Sequence, residues 1–232
     1  MRSRSGTAVV LGGTSGIGRE LAVRLAADGM AVVISGRDAA RAQSVAAEIG
    51  PSVRGVGLDL SEPDTVRGAL ADVDRVDALV ITAIERDVNF IKDYDAARAT
   101  RLAVLKLVGY TEAVHVLADR LAPDAAIVLF GGLAMLRPHP GSTTVSAVNG
   151  GVSAMVRSFA NELAPVRVNA VHPGLVGDSP AWIDKDLSMA VARTPIGRTV
   201  TMQEVVDATL FLLDNGGVNG QNLVIDGGSL VR

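Results

Sequence analysis

A glycine-rich stretch near the N-terminus has the residue types and spacing that bind the phosphates of a nucleotide. It lies between an apolar run, Thr7–Leu11, and an amphipathic segment, Ile17–Asp28, so we predict a strand before it and a helix after it. Glycines in such a loop permit a tight turn and a close approach of the backbone to a diphosphate, and the helix N-terminus offers free N–H groups to anions. The loop residues predicted to hold the nucleotide are Gly12, Thr14, Ser15, Gly16, Ile17 and Gly18.

The end of the second apolar run, Ala31–Ser35, indicates which nucleotide binds. A carboxylate at this place bonds the ribose 2′-hydroxyl of NAD(H), and its charge repels the 2′-phosphate of NADP(H). This chain has Ser35-Gly36-Arg37 instead, and an arginine offers a planar, bidentate donor to a phosphate. We therefore predict NADP(H) as the cofactor, with Arg37 and Ser35 at the 2′-phosphate.

Apolar runs of strand length alternate with longer helical patterns along the rest of the chain. This alternation predicts βαβ units with right-handed crossovers, and hence a doubly wound parallel sheet of about seven strands with helices on both faces. No linker interrupts the pattern, so residues 1–232 are predicted to form one α/β domain of the Rossmann type. The predicted strands are Thr7–Leu11, Ala31–Ser35, Val53–Leu58, Val76–Ile81, Ala125–Phe130, Val166–Val171 and Leu223–Ile225. The predicted helices are Ile17–Asp28, Asp38–Ile49, Glu62–Ala71, Asp95–Leu121, Thr144–Leu163, Ala181–Val191 and Met202–Leu213.

The composition argues against several classes of function. The formal net charge of −3 implies no basic face, so nucleic acid is not an expected partner. The chain has no cysteine, which excludes disulfides and thiolate zinc sites, and we predict no metal site. Its first residues lack the apolar segment of a signal peptide, and no run reaches the roughly 18 apolar residues of a membrane span. We expect a cytoplasmic protein without a membrane partner.

Motifs spread over essentially the full chain make it resemble the short-chain dehydrogenase/reductase family. The loop from Gly12 to Gly18 matches that family's Thr-Gly-x-x-x-Gly-x-Gly pattern, with Leu11 where threonine is usual. Asp59-Leu60 resembles its adenine-contacting pair, and an aspartate here is equally well read as a turn or helix-capping residue. Further matches are Asn169–Gly174 to its Val-Asn-x-Val-x-Pro-Gly segment, and Pro195–Arg198 and Asp226–Gly228 to its C-terminal part.

The resemblance implies more contacts and an assembly. It places Thr82 and Ala83, after the fourth strand, and Pro173, Gly174 and Val176, after the sixth, beside NADP(H). It also implies a small-molecule substrate under a lid near residues 178–194. Finally, it implies a homo-oligomer, either a dimer or a tetramer, that associates through the two long central helices and the C-terminal region.

The expected reactive centre departs from the family pattern. The family uses a tyrosine as proton donor, a lysine four residues later that lowers the tyrosine pKa, a serine that orients the carbonyl, and an asparagine that supports a proton-relay water. These positions fall on Val145, Asn149, Gly132 and Ala103 respectively. Valine has no proton to give, glycine has no hydroxyl and asparagine has no charge. Acid–base catalysis by a tyrosine is therefore not available at these positions.

Three neighbouring residues are predicted to act in their place. His139 precedes the helix that normally carries the tyrosine, and an imidazole pKa suits proton transfer near neutrality, although a surface loop histidine is the alternative. Thr144 and Ser146 can hydrogen-bond a carbonyl but are poor acids. The charged stretch Glu85–Asp87, after the fourth strand, either binds a polar substrate or is a solvated loop.

Together these features predict an atypical NADP(H)-dependent oxidoreductase. We expect it to reduce a carbonyl of a small molecule, with the proton supplied by the substrate, by water or by His139. Two alternatives use the same residues. One is a catalytically inactive NADP(H)-binding protein, and the other is a non-redox enzyme on the same fold, such as a cyclase, dehydratase or isomerase.

Overall fold

Seven apolar segments form the parallel strands of one sheet in the computed structural model, which describes residues 5–231. The strands are β1 (Thr7–Leu11), β2 (Ala31–Gly36), β3 (Val53–Gly57), β4 (Val76–Ile81), β5 (Leu121–Phe130), β6 (Arg167–Pro173) and β7 (Asn222–Ile225). The α-helices are α1 (Gly16–Ala27), α2 (Ala39–Ile49), α3 (Val66–Ala69), α4 (Ala96–Ala103), α5 (Tyr110–Leu117), α6 (Thr143–Glu162), α7 (Ser188–Arg193) and α8 (Met202–Asp214). The predicted fold class, a single α/β domain with a doubly wound parallel sheet, is confirmed.

The order of the strands places a crevice at one edge of the sheet. The order is β3-β2-β1-β4-β5-β6-β7, so the chain winds outward in one direction from β1 and in the other from β4. The connections after β1 and β4 therefore diverge to opposite faces at the carboxyl ends of these neighbouring strands. In open sheets of this kind, ligands bind at that point of reversal.

Alternate residues of each strand pack on opposite faces of the sheet. In β1, Val9 and Leu11 join a buried cluster with α3, α5 and α6, whereas Ala8 and Val10 join a second cluster with α1 and α8. Because both faces are covered, the strands read as continuous apolar runs rather than as an alternation of apolar and polar residues. In the part of the chain that the structure describes, no helix is both long and apolar enough to span a bilayer.

The long helix predicted over Asp95–Leu121 contains an irregular middle. α4 and α5 are joined by a π-helical segment, Val104–Gly109, and the following strand begins at Leu121 rather than at Ala125. The strand starts early because Leu121 pairs with Val76 of β4 across a bulge. The π-helical segment carries Lys106, whose side chain is only 2% exposed. Such segments often mark functional positions in helices.

Two other predicted helices are shorter than expected. The segment Glu62–Ala71 forms only a 3₁₀ turn, Pro63–Thr65, followed by the four-residue helix α3. The segment Ala181–Val191 becomes helical only at Ser188, where α7 begins. The Asp186 carboxylate accepts the N–H of Ser188 at 2.9 Å, which satisfies a first-turn donor and fixes that start.

Candidate cofactor and substrate site

The glycine loop forms a cradle between β1 and α1. Gly12 has φ +94° and Gly16 has φ +53°, conformations that residues with a Cβ rarely adopt. A Cβ at Gly18 would overlap the Gly12 carbonyl oxygen and lie 2.6 Å from Thr82 Oγ1, so α1 can approach β1 only with glycine there. A Cβ at Gly16, in contrast, would meet only Pro180 at 3.7 Å. The backbone at Gly16 is therefore open to a diphosphate, beside the N–H groups of the first turn of α1.

Residues of β2 and of the connection after β4 hold the loop in this shape. The Thr82 hydroxyl donates toward the carbonyl oxygens of Leu11 and Gly12, at 3.2 and 3.1 Å. The Ser35 hydroxyl, in a residue that is 2% exposed, accepts the N–H of Gly12 at 3.2 Å. Ala83 donates its N–H to Leu11 O at 3.0 Å. Three residues predicted to contact the cofactor thus bind the loop that would hold it.

An open groove of about 790 Å³ runs from the loop along α1 and α2. Thr14, Ser15 and Gly16 line one end, and Arg41 and Ser44 of α2 line another part. Arg37 is exposed and lies two residues before α2, which begins at Ala39. Among residues 5–231, neither of these two guanidinium groups has an acidic partner within ion-pair distance. The groove therefore combines an open phosphate cradle with the unpaired guanidinium of Arg41, and Arg37 follows the end of β2.

Asp59 takes part in a network of polar contacts after β3. Its Oδ1 accepts the N–H and the hydroxyl of Ser61, at 2.9 and 2.7 Å, and its Oδ2 pairs with Arg101 at 2.8 Å. Arg101 also bonds Glu85 at 2.8 Å. Burial favours the neutral acid, but the hydrogen bonds from Ser61 and Arg101 outweigh it and lower the pKa of Asp59. Leu60, the other member of the predicted adenine pair, is buried.

The turn after β6 lies beside the C-terminal strand. Gly174 donates its N–H to Ile225 O at 2.8 Å, and a Cβ at Gly174 would lie 3.0 Å from Asp226 Cα. Val176 is buried and forms an isolated bridge with Val200. Pro173 ends β6, so the structure places all three predicted residues at the carboxyl edge of the sheet.

Two of the four positions that carry catalytic residues in the family, Gly132 and Asn149, lie next to each other in the structure. Val145 and Asn149 lie one turn apart on α6, and Gly132 follows the end of β5. A Cβ built at Gly132 would lie 3.0 Å from Asn149 Nδ2, so the amide of Asn149 occupies the space in front of Gly132. Ala103 ends α4, just before the π-helical segment.

The residues predicted to replace the tyrosine lie around the start of α6. The exposed His139 ring donates from Nδ1 to the carbonyl oxygen of the next residue, Pro140, at 3.1 Å. Thr144 is buried and accepts a long bond of 3.4 Å from Asn89 Nδ2, and Ser146 pairs with Ser142 at 3.0 Å. These contacts are local to the loop and helix start. Among residues 5–231, no cluster of three or more His, Asp or Glu side chains is arranged to hold a metal ion.

A buried lysine lies beneath the ends of β4 and β5. Lys106 Nζ donates to Phe130 O at 2.6 Å and to Tyr110 Oη at 2.9 Å, and Tyr110 in turn donates to Ala83 O at 2.8 Å. Burial lowers the pKa of Lys106 to about 7 and raises the pKa of Tyr110. The pair therefore ties together the two strand ends that border the crevice.

His172 of β6 fixes the backbone after β5. Its Nδ1 accepts the N–H of Gly132 at 3.2 Å, and its Nε2 donates to Asn222 Oδ1 at 2.8 Å. Burial lowers the pKa of His172, which keeps the ring neutral and suits one nitrogen accepting while the other donates. A Cβ at Gly131 would overlap this ring, so the position of the His172 ring requires glycine at 131.

The segment after β6 approaches the glycine loop, since Pro180 lies 3.7 Å from a Cβ built at Gly16. The Trp182 ring contacts two cations, with Arg86 at 5.4 Å from its centroid and Lys185 at 4.5 Å. Arg86 belongs to the connection after β4, so this contact joins the two sides of the crevice. In the charged stretch Glu85–Asp87, Arg86 thus contacts Trp182 of the predicted lid, and Glu85 pairs with Arg101.

Sequence reasoning missed several residues that build the site. Arg41 lies in the first turn of α2, and its place four positions after Arg37 in the sequence was the signal that could have found it. The bond between His172 and Gly132, and the meeting of Asn149 with Gly132, join residues far apart in the chain. No local pattern reports such pairs.

Comparison with known proteins identifies the family. A family model described as enoyl-(acyl carrier protein) reductase matches residues 12–229. The chain is 32% identical over 230 residues to carbonyl reductase family member 4 of Danio rerio, covering 95% of this chain and 96% of that protein. It is 30% identical to the 3-oxoacyl-[acyl-carrier-protein] reductase FabG of Aquifex aeolicus, covering 95% of each. A solved structure of a short chain dehydrogenase/reductase family protein superposes with a TM-score of 0.90 at 33% identity, covering 100% of both chains. The chain therefore belongs to the short-chain dehydrogenase/reductase family.

Proposed function

We propose that this protein is an NADP(H)-dependent oxidoreductase that reduces a carbonyl of a small molecule without a tyrosine–lysine pair. The observation that carries the proposal is the phosphate cradle from Gly12 to Gly18, which opens onto a groove lined by Arg41. When NADPH is bound it supplies a hydride. The similarity to a carbonyl reductase and a 3-oxoacyl reductase supports a carbonyl as the acceptor.

The cofactor side of the site fits a nicotinamide dinucleotide phosphate. The backbone at Gly16 and the first turn of α1 would hold the diphosphate, because no Cβ stands in the way. Arg37 and Arg41 would hold the 2′-phosphate, since both are near the end of β2 and no acidic side chain neutralises them in the described structure. Ser35 supports the loop, because its buried hydroxyl accepts the Gly12 N–H, and its own O–H is left to donate to a phosphate.

We expect reversal of the charge at residue 37 to change the cofactor preference. Arg37→Glu should weaken NADPH binding by about 30-fold or more, because a charge-assisted bond contributes ~1.5–3 kcal/mol and a carboxylate adds repulsion. NADH binding should change by less than about threefold. Calorimetric titration of each cofactor measures both values. Arg157→Glu, an exposed arginine on α6, is the matched control and should behave as the natural sequence does. Equal loss of NADPH and NADH affinity in Arg37→Glu would contradict the assignment.

The substrate side lacks an obvious proton donor at the family positions. Val145 offers no proton, and Gly132 offers no hydroxyl in front of Asn149. The His139 ring is exposed and bonded to its own loop, so we assign the proton to water. Exposed apolar side chains on the connections after β4, β5 and β6 favour a substrate with an apolar portion. They are Ile84, Leu136, Ile183, Met189 and Ile196.

Titration followed by a substrate panel tests the proposal. Micromolar binding of NADPH with much weaker binding of NADH, followed by oxidation of NADPH by one or more ketones, aldehydes or 3-oxoacyl thioesters, is the expected result. Tight NADPH binding without turnover would favour the inactive binding protein instead. A reaction that consumes substrate without oxidising NADPH would favour the non-redox enzyme. No binding of either cofactor would overturn the proposal.

We also propose a lid and an assembly for this chain. Residues 178–194 would close over the cofactor, and the contact between Trp182 and Arg86 supports this role.

A homo-oligomer is supported by half-exposed apolar side chains on the described surface, among them Val108 after α4 and Phe211 of α8. Light scattering of the purified protein distinguishes a dimer from a tetramer.

A further inference from the structure

The side chain of Asn149 is largely buried, but its amide pairs with no other residue among residues 5–231. The whole residue is 5% exposed, and the amide oxygen and nitrogen are not among the fully buried polar atoms, so they keep some contact with solvent. Buried polar groups in proteins are almost always paired, because an unpaired one loses its contacts with water and gains nothing. The Asn149 amide is uncommitted to any described residue and is reached by solvent, so it is free to pair with a ligand.

The amide lies where a side chain from residue 132 would project. A Cβ built at Gly132 would be 3.0 Å from Asn149 Nδ2. A serine at 132 would carry its hydroxyl on that Cβ, so the amide nitrogen borders the space that such a hydroxyl would occupy. The side chain of Asn149 is thus long enough to reach the space that is open because Gly132 has no side chain.

The backbone around the amide is already committed to other bonds. The Gly132 N–H donates to His172 Nδ1, and His172 is held by Asn222, whose Nδ2 donates to Ser153 O at 3.3 Å. Gly132 therefore has no N–H left for a ligand. Val145, one turn before Asn149 on the same side of α6, offers only an apolar surface. Asn149 is the donor that remains available beside Gly132.

We propose that Asn149 Nδ2 donates a hydrogen bond to the carbonyl oxygen of the substrate and is a catalytic residue. This inference rests on the proposed reduction of a carbonyl. As the carbonyl carbon receives hydride, the electron pair of the C=O π bond passes to oxygen, and the amide stabilises the negative charge that develops there. The amide keeps its own proton. The alkoxide takes a proton from water, which leaves hydroxide, so the charges balance.

Two substitutions separate binding by the amide from a structural role. Asn149→Asp keeps the size of the side chain but replaces the donor by an acceptor, and Asn149→Ala removes both. With NADPH and the best carbonyl compound of the panel, each variant should lower kcat/KM by about 100-fold, the usual loss for one donor to an oxyanion, with most of the loss in kcat. NADPH affinity and the thermal midpoint should stay near those of the natural sequence. Asn161→Ala, an exposed asparagine on the same helix, should have no effect.

A vibrational measurement tests the contact without turnover. The probe is 3-oxobutanoyl-N-acetylcysteamine with ¹³C at its ketone, bound to the protein in the presence of NADP⁺. The ketone stretch should lie at lower wavenumber in the natural protein and in Asn161→Ala than in Asn149→Ala or Asn149→Asp, because a hydrogen bond weakens the C=O bond. The same stretch in all four proteins, or no binding of the probe, would overturn the role of Asn149. Absence of NADPH oxidation by the natural protein would instead overturn the proposed function, and the wavenumbers would still decide the role of the amide.

Discussion

Replacing Gly18 with alanine is expected to weaken NADPH binding by about 100-fold or more, which corresponds to ~3 kcal/mol. The added Cβ would overlap the Gly12 carbonyl oxygen and lie 2.6 Å from Thr82 Oγ1. Neither neighbour can yield cheaply, because the first is backbone and the second holds the loop through two hydrogen bonds. The N-terminus of α1 must therefore move away from β1, and the N–H groups of its first turn no longer point at the diphosphate.

Titration calorimetry with NADPH measures this loss, and circular dichroism checks that the sheet remains folded. Overpacking of this kind costs about 1–3 kcal/mol of stability, so the thermal midpoint should fall by several degrees without loss of the fold. Gly68→Ala is the matched control, since a Cβ at Gly68 meets nothing within 4 Å. It should bind NADPH normally and be as stable as the natural sequence or more so. Undiminished binding by Gly18→Ala would show that the cradle does not hold the cofactor.

Because Lys106 is buried, the free energy of unfolding is expected to rise between about pH 7 and pH 10. The pKa of Lys106 falls from an ordinary 10.5 to about 7 in the folded chain because burial penalises the ammonium ion. Between these two values the unfolded chain binds a proton that the folded chain does not. Stability therefore increases with pH across this window and stops increasing above the unfolded pKa. The full difference corresponds to ~5 kcal/mol, and to at most about 1.4 kcal/mol for each pH unit.

Urea unfolding of the natural sequence and of Lys106→Met, at intervals from pH 6 to pH 10, measures this effect. As the pH rises through this window, the free energy of unfolding should increase more for the natural sequence than for Lys106→Met. At high pH the variant should be the less stable, because it leaves Phe130 O and Tyr110 without the amine that donates to them. Lys92→Met, an exposed lysine, should track the natural sequence at every pH. A constant difference between the natural sequence and Lys106→Met would show that Lys106 titrates as an ordinary lysine.

The two sides of the crevice have different chemical character. The cofactor side is shaped by backbone: glycines without room for a Cβ, and a helix N-terminus. The substrate side is shaped by side chains that hold one another, as His172 holds Gly132 and Lys106 holds the end of β5. The Asn149 amide lies beside Gly132, next to these held residues, and makes no hydrogen bond within residues 5–231, so we infer that it can bind a ligand.

The sequence by itself determined the fold class and predicted where a nucleotide would bind. Strands buried on both faces are continuous apolar runs, and the helices between them end at glycines or capping residues, so local patterns sufficed to predict the alternation. The loop from Gly12 to Gly18 is contiguous, and its spacing is dictated by the turn from β1 into α1. Errors arose where tertiary contacts overrode local preference, as at the early start of β5, which its pairing with β4 sets.

Only the tertiary structure decided what the substrate side contains. Gly132 and Asn149 are 17 positions apart, and Gly132 and His172 are 40 apart, so their contacts depend on the packing of α6 and β6 against the end of β5. The family resemblance predicted which catalytic positions are replaced, but not that the amide of Asn149 lies beside Gly132. The burial of Lys106 was equally hidden, because a lysine in an amphipathic segment is normally solvated and only the surrounding strands remove its water.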